Sequence, residues 1–283
     1  MSRPKMVAIY RRASFSPKQH LQNDRAILDL VVTHLHDMGW DEERVDEDIV
    51  ETGRIPRAEL YLNMCQGARA SELLAPLECD GVTVVNRASS VLNCHRHRLV
   101  HHLAGTGIAF PRTILLPAGS GPPAAEDLAE LLDERGTLWL KRGDVHAEQA
   151  EDVIRLAPEE LDDALTRFRA RGIAWAALQH HVPGPVIKFY ALGDRSFFRY
   201  YGADGGPKAP PPVVDREAMM SLAFRAAERL GLEVFGGDMA IPHPEEPVLI
   251  DINDWPSFAP FRDEASLTIA RYVNAQARLR SPA

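Results

Sequence analysis

The stretch PVLIDINDWPSF, residues 247–258, leads an apolar strand directly into carboxylate and amide side chains. Side chains two positions apart in a strand share one face, so Asp251 and Asn253 point together while the apolar residues beside them pack on the other face. An ionised carboxylate is costly to bury without a partner, so this strand end predicts a nearby cation. The alternative is a plain turn in which Asn253 and Asp254 cap the bend before the proline.

A second apolar stretch, VFGGDMAI at 234–241, carries another carboxylate, Asp238. If the two strands pair antiparallel, Asp238 joins Asp251 and Asn253 at one place. Carboxylate and amide oxygens are the ligands that Mg²⁺ prefers. The pattern therefore predicts a magnesium site, with the turn as the alternative.

Lysine is rare in this chain, with five lysines among 32 Lys and Arg residues. Two of them, Lys141 in LWLKRG and Lys188 in VIKFY, lie within apolar strand patterns. An ammonium ~4 Å from a phosphate contributes about 4 kcal/mol at an effective dielectric of about 20. We expect both lysines to hold nucleotide phosphates; the alternative is that each reaches solvent at a sheet edge.

Helical and extended patterns alternate in the first third of the chain. Apolar runs predict strands at 7–10, 59–64 and 82–86, and helical spacing predicts a helix over about 18–38. This alternation favours a small open sheet with helices on its faces. The acidic run DEERVDED at 41–48 is predicted to be a solvated loop.

Later segments change to antiparallel strand patterns, with Gly/Pro-rich loops at 117–127 and 202–212 as candidate mobile lids. Strands are predicted at 138–143, 152–156, 175–182, 186–194, 196–201, 234–241 and 248–253, and helices at 89–105, 125–134, 157–172, 215–230 and 263–279.

Composition narrows the function classes. The 283 residues, 45% hydrophobic and 25% charged, suffice for two or three lobes with their own cores. A net charge of −8 argues against nucleic-acid binding, which depends on phosphate neutralisation. The chain shows no apolar run of ~20 residues and no secretory h-region, so we expect no membrane partner and a cytoplasmic location. Three cysteines without CxxC spacing predict reduced thiols.

The order of these motifs resembles the ATP-grasp superfamily over about residues 85–279. The resemblance lies in a strand lysine followed by QHHVPGPVIKF, GGDMAI and LIDINDWP. It implies an α/β (α+β) fold in which two lobes clasp ATP behind a small parallel α/β domain. The implied domains are 1–88, 89–177 and 178–283.

Site residues follow from this resemblance by position. Lys141 and Lys188 would contact ATP phosphates, Asp238, Asp251 and Asn253 would hold Mg²⁺, and Arg98 or Arg96 would replace the family's first lysine. The adenine hinge would be Gln179, His180, His181 and Val182. Arg199, with Lys188, would take a catalytic role by holding an acyl phosphate or a substrate carboxylate as a bidentate donor. A surface ion pair is the alternative for Arg199.

Three features depart from the family pattern. The phosphate loop is shortened to KRGDVHAEQAEDV, which leaves Gly143 to cover the triphosphate. Ser257 replaces the glycine after the proline, and Asp251 stands where Glu is more common. His97 and His101 lie one helical turn apart without a third acidic ligand, which favours a solvated basic face over a zinc site.

The resemblance implies an ATP- and Mg²⁺-dependent ligase that joins a small-molecule carboxylate to an amine through an acyl phosphate, and it is compatible with a homodimer, which is common among related ligases. One alternative is an inositol-phosphate-type kinase of the same fold, with Arg11 and Arg12 holding a polyol phosphate. The other is a nucleotide-binding protein without turnover. The sequence further predicts that Asp251→Asn abolishes turnover but leaves the thermal midpoint unchanged or higher, because repulsion between carboxylates is removed.

Overall fold

The computed structural model describes residues 3–15 and 21–280. Its first sheet is parallel, with strand order β2-β1-β3-β4. The strands are β1 (Lys5–Tyr10), β2 (Asp41–Asp46), β3 (Leu60–Asn63) and β4 (Thr83–Val85), and the helices are α1 (Leu21–Asp37), α2 (Glu47–Glu51) and α3 (Ala68–Cys79). Apolar β1 and β3 are the central strands, buried on both faces. The predicted open sheet is confirmed; Lys18, near the predicted start of the first helix, lies outside the described residues.

The acidic segment 41–48 is not a solvated loop, and that prediction was wrong. Residues 41–46 form edge strand β2, which pairs in parallel with β1. An edge strand needs one backbone partner and tolerates charged side chains, which discourage pairing with other chains. Glu47 is fully buried, and its carboxylate accepts hydrogen bonds from the backbone amides of Arg12, Gln66 and Gly67.

Two short helices, α4 (Ala88–Asn93) and α5 (Arg96–Leu103), replace the single helix predicted over 89–105. The chain is extended at His95, with φ −61° and ψ 127°. His97 donates its backbone amide to the Gly143 carbonyl at 2.9 Å, so a contact with another lobe replaces a helical hydrogen bond. The break turns the start of α5 toward that lobe.

The central lobe is an antiparallel sheet of order β5-β8-β6-β7. Its strands are β5 (Thr113–Pro117), β6 (Leu138–Arg142), β7 (Val153–Leu156) and β8 (Trp175–Gln179), covered by α6 (Ala125–Ala129) and α7 (Leu161–Ala170). Helix α6 is shorter than the predicted 125–134. The Asp133 carboxylate accepts from the amides of Arg135 and Thr137 at 3.0 and 2.9 Å, a local turn that competes with helix.

The C-terminal lobe is a second antiparallel sheet, of order β10-β9-β11-β12. Its strands are β9 (Val186–Leu192), β10 (Phe198–Gly202), β11 (Val234–Ala240) and β12 (Val248–Asp254), with helices α8 (Arg216–Leu230) and α9 (Arg262–Arg280). Helix α9 returns to the first domain, where Ile269 and Val273 share a core with Ile27 and Val31 of α1. This packing fixes the C-terminal lobe against the parallel sheet.

Within residues 3–15 and 21–280, no helix is both long enough and apolar enough to cross a lipid bilayer.

Candidate active site

A cavity of about 300 Å³ lies between the central sheet and the C-terminal sheet. Its wall combines apolar side chains with a few charged ones, as small-molecule sites commonly do. The lining residues are Arg96, Trp139, Lys141, Val153, Gln179, His180, His181, Val182, Val186, Asp238, Ile250 and Asp251.

The two carboxylates of the cavity are cross-strand neighbours. Asp238 of β11 stands opposite Asp251 of β12 in the antiparallel register, next to an irregularity after Asp238. Gly237 permits this close pairing, because a Cβ there would lie 2.3 Å from the Asp251 carbonyl oxygen. Asn253, opposite Gly236 in the register, is half-buried and lies outside the cavity lining.

Each carboxylate is paired with a cation. Lys188 Nζ donates to Asp238 Oδ1 at 2.8 Å, and Arg96 Nη2 donates to Asp251 Oδ2 at 2.9 Å. Burial raises the pKa of Asp238 and outweighs the opposing effect of Lys188. Burial also acts to raise the pKa of Asp251, but the charges of Arg96 and Lys141 prevail and lower it. Asp251 is therefore the more firmly ionised of the two.

The pKa values of Lys141 and Lys188 are also shifted in opposite directions. Lys141 is 7% exposed, and burial, reinforced by the charge of Arg96, lowers its pKa to about 8. Burial also acts against the charged form of Lys188, but the charge and hydrogen bond of Asp238 raise its pKa.

A divalent cation fits the donor set at this end of the cavity. The Asp238 and Asp251 side chains keep 25% and 22% of their surface exposed, and both supply hard oxygen ligands. In this structure the positive charges of Lys188 and Arg96 offset the repulsion between Asp238 and Asp251, which a bound cation would also do.

The opposite end of the cavity is formed by the segment joining β8 to β9. Gln179 is buried and donates to Thr113 Oγ1 at 3.1 Å, and the His180 amide donates to the Arg112 carbonyl at 3.0 Å. Trp139 Nε1 donates to His181 Nδ1 at 3.1 Å, which leaves the ring proton of neutral His181 on Nε2. The result is an aromatic and apolar wall with fixed hydrogen-bonding groups.

Comparison with solved structures supplies the fold assignment. D-alanine–D-alanine ligase from Bacillus anthracis, complexed with ATP, superposes with a TM-score of 0.71 at 13% identity, covering 98% of each chain. A RimK domain protein ATP-grasp from Sphaerobacter thermophilus DSM 20745 gives a TM-score of 0.69 at 19% identity, covering 95% of this chain and 99% of that one. The ATP-grasp ligase PsnB, complexed with a minimal precursor, gives 0.64 at 16% identity, covering 98% and 100%.

This chain has the ATP-grasp fold. The fold class predicted from the sequence is thereby confirmed. No protein-family profile and no curated protein sequence matches the chain. The domain boundaries at 88 and 177 stay predictions, and strand β8 continues to Gln179, past the second boundary.

The ATP-grasp cleft brings together most, but not all, of the predicted site residues. Lys141, Asp238, Asp251 and the segment 179–182 line it, and Lys188 joins it through Asp238. Arg98 is exposed, whereas Arg96 is buried in the cavity wall. Two positions along a helix turn a side chain by about 200°. Arg96, the alternative to Arg98, is therefore the arginine at the cleft.

Arg199 lies outside the wall of the ATP-grasp cleft. Its Nε donates to Glu264 Oε2 at 3.2 Å, and its guanidinium stacks over the Phe197 ring at 5.3 Å from the centroid. The surface pairing that the sequence left open for Arg199 is the arrangement observed. Its catalytic role has no support from this geometry.

Gly143 and His97 also differ from expectation. The Gly143 amide donates to the Trp175 carbonyl at 2.8 Å, so it is already engaged and does not cover the cavity. A Cβ on Gly143 would lie 3.0 Å from that carbonyl oxygen, which explains the glycine. His97 stacks on the Trp175 ring with centroids 5.5 Å apart and bonds the Gly143 carbonyl through Nδ1 at 2.8 Å, so its ring is used in packing.

Sequence reasoning missed the apolar wall of the ATP-grasp cleft. Trp139 stands two residues before Lys141, and Val186 two before Lys188, so strand alternation could have placed each on the face of its lysine. Val153 carried no comparable signal. Ile250 was predicted on the face opposite Asp251, but it lines the same cavity, because the register of β11 and β12 shifts at this point. The contact of His146 with Asp254 at 3.1 Å was also missed, because 108 residues separate the two.

A larger cavity, of about 730 Å³, opens where α4, α8 and α9 meet. Its wall includes the exposed Arg87 and Arg195, and none of the paired carboxylates or strand lysines contributes to it. The paired carboxylates and Lys141 therefore mark the smaller cavity as the candidate site.

Proposed function

We propose that the protein is an ATP- and Mg²⁺-dependent ligase that joins a carboxylate to an amine through an acyl phosphate. The observation that carries this proposal is the convergence of Lys141, Arg96, Asp238 and Asp251 on one cavity, with Lys141 on the central sheet and the two carboxylates on the C-terminal sheet. The fold agrees, since the B. anthracis structure of the same fold is a D-alanine–D-alanine ligase bound to ATP.

The reaction has two balanced steps. A substrate carboxylate oxygen attacks the γ-phosphorus of ATP, the bond to the β-phosphate oxygen breaks, and acyl phosphate and ADP form. The acceptor amine then attacks the acyl carbon, inorganic phosphate leaves, and the amide loses one proton. Such transfer depends on positioning and charge neutralisation more than on a protein nucleophile.

The chain's own residues divide this work. The ammonium of Lys141 is buried in the cavity wall, where its attraction to a phosphate group would be only weakly screened by solvent. Arg96 and Lys188 hold Asp251 and Asp238 in place, and we assign these two carboxylates to the metal. Asn253, the third predicted ligand, lies two residues after Asp251 on β12 and outside the cavity lining. Mg²⁺ bound there would neutralise charge on the transferring phosphoryl group. The wall formed by Trp139 and 179–182 would take the adenine ring.

The ion pairs of Arg11 and Arg12 argue against a polyphosphate acceptor at these residues. Arg11 pairs with Asp24 at 3.2 Å, and Arg12 pairs with Glu51 and, at 2.6 Å, with Asp48. These arginines are already neutralised, so a polyanion would have to displace carboxylates to use them. Arg11 and Arg12, the arginines that the sequence assigned to a polyol phosphate, therefore do not support the kinase alternative.

Isotope transfer in the purified protein tests the proposal. The protein is given ATP, Mg²⁺ and a panel of ¹⁸O-labelled carboxylates with amines, and ADP, phosphate and products are followed by mass spectrometry. A ligase moves one ¹⁸O from the carboxylate into inorganic phosphate and makes an amide. Phosphorylated hydroxyl products without phosphate release would support a kinase, and nucleotide binding without ADP would support a non-catalytic protein.

A pair of lysine variants makes this test specific to the cleft. Lys141→Met should remove the isotope transfer, whereas Lys208→Met, at an exposed lysine, should leave it intact. Transfer that survives in Lys141→Met at the wild-type rate contradicts the assignment of the site.

A further inference from the structure

The loop that joins β6 to β7, residues 143–152, connects two strands that line the cleft through Lys141 and Val153. Gly143 is its one glycine, and the Gly143 amide is held by β8. This loop therefore lacks the run of free glycine amides that could close on phosphates. Its position must be maintained by other contacts.

Side-chain contacts hold the base of the loop. Arg142 donates from Nε to Asp144 Oδ1 at 2.7 Å and from Nη1 to Glu148 Oε2 at 2.6 Å. The buried Asp152 carboxylate accepts from the amides of Glu148 and Gln149 at 2.7 and 3.2 Å. Both ends of the loop are thus fixed to the central lobe.

The middle of the loop contacts the C-terminal lobe through His146. His146 is 9% exposed, and its Nε2 lies 3.1 Å from Oδ1 of the buried Asp254. Asp254 ends β12, three residues after Asp251, so the contact bridges the central lobe to the strand that carries the metal-site carboxylate.

The surroundings of His146 and Asp254 favour the hydrogen bond between them. The His146 ring packs edge-on against His95, with centroids 6.3 Å apart. Burial, and then the neighbouring His146, lowers the pKa of His95 to about 4, so His95 is neutral near pH 7. Asp254 Oδ2 is buried without a hydrogen-bond partner among the described residues, so losing His146 as well would leave the whole carboxylate unpaired.

We propose that His146 is a positioning residue: its hydrogen bond to Asp254 latches loop 143–152 beside the end of the cleft that holds Lys141 and Asp251, where the proposed function places the phosphates, and nucleotide exchange requires this bond to open. The side-chain latch replaces the backbone amides of a glycine-rich loop. Its role in nucleotide exchange depends on the proposed function, whereas the latch itself does not.

Two amide substitutions of different length test the latch. The glutamine side chain places its amide nitrogen where His146 has Nε2, whereas asparagine is too short to reach Asp254. We expect His146→Asn to speed hydrogen–deuterium exchange of amides 144–151 and release of a fluorescent ATP analogue with Mg²⁺ at least tenfold. His146→Gln should stay within threefold of wild type in both measurements. His101→Asn, at an exposed histidine of α5, is the control.

Equal rates of amide exchange and analogue release in the Asn and Gln variants would overturn the latch. A role in packing alone would not depend on whether the new amide reaches Asp254. Faster exchange with unchanged analogue release would overturn the role in nucleotide exchange. If the wild-type protein binds no nucleotide, the proposed function fails, and exchange of amides 144–151 alone decides the latch. A thermal midpoint within a few degrees of wild type shows that each variant is folded.

Discussion

Two lysines, one from each antiparallel sheet, lie near the same pair of carboxylates, and their pKa values are shifted in opposite directions. Lys188 of β9 is bound to Asp238 at 2.8 Å, and its pKa is raised because that carboxylate outweighs the cost of burial. Lys141 of β6 has no ion-pair partner in the described part of the chain, and burial lowers its pKa to about 8. Lys188 is thus already paired with a carboxylate that we propose as a metal ligand, whereas Lys141 is the cation that, in the proposed function, meets an incoming phosphate.

The difference in pairing between the two lysines suits two tasks: Lys188 stabilises the fold at Asp238, and Lys141 is the cation that we propose to bind an anion. A buried, unpaired ammonium destabilises the fold, because desolvation disfavours its charged form. A shift from 10.5 to about 8 corresponds to about 3 kcal/mol at neutral pH. We infer that this cost is retained because Lys141 serves binding, whereas Lys188 mainly fixes Asp238.

The largest expected effect comes from exchanging each lysine for methionine. Lys141→Met should lower kcat/KM for ATP about 10²- to 10³-fold, since it removes a desolvated positive charge from the transferring phosphate. Lys188→Met should lower it about tenfold, because Mg²⁺ can take over the charge of Asp238. Steady-state kinetics on both variants check this, and equal losses would remove the proposed division of work.

The second effect concerns the carboxylates and reverses the stability expected from the sequence. Asp251→Asn leaves Arg96, with 4% of its side chain exposed, without its carboxylate, so we expect stability to fall by about 2–3 kcal/mol. Asp238→Asn should cost less than about 1 kcal/mol, because the Lys188 side chain is 43% exposed and can be solvated. Urea unfolding of both variants measures the difference, and an unchanged or higher midpoint in Asp251→Asn would restore the original expectation.

The third effect is a pH dependence set by Lys141. A lysine with a folded pKa below its unfolded value destabilises the fold below about pH 8, and the lost stability returns as the pH rises toward 10.5. Phosphate binding should raise this pKa again, so ATP binding at pH 8 should take up about half a proton. Titration calorimetry in buffers of different ionisation enthalpy measures this uptake. Lys141→Met should abolish it, and an uptake that persists in this variant would assign the proton to another group.

The smallest effect is expected at Arg199, which shares a sheet with Lys188 but pairs with Glu264. Arg199→Ala should change kcat/KM less than threefold and stability by less than about 1 kcal/mol, because the pair is exposed. Glu264→Ala is the matched control. A loss greater than tenfold in Arg199→Ala alone would return Arg199 to the catalytic set.

The sequence by itself determined most of the strands and the types of charged residue at the cleft. Alternation with period two placed Asp251 on the cleft face of β12, and a lysine inside an apolar strand marked Lys141. These signals are local, because backbone geometry alone decides which side chains share a face. They sufficed for the two strand lysines and the two carboxylates, whereas the fold class and the segment 179–182 were predicted from the order of motifs that resembles the ATP-grasp superfamily.

Only the tertiary structure decided the partners. It selected Arg96 over Arg98, paired Arg199 with Glu264, and joined His146 to Asp254 across 108 residues of sequence. It also made a strand of 41–46, since an edge strand depends on its neighbour β1 more than on its own side chains. Which charged side chains pair depends on how helices and sheets that are distant in sequence pack together. A local sequence pattern does not contain that information.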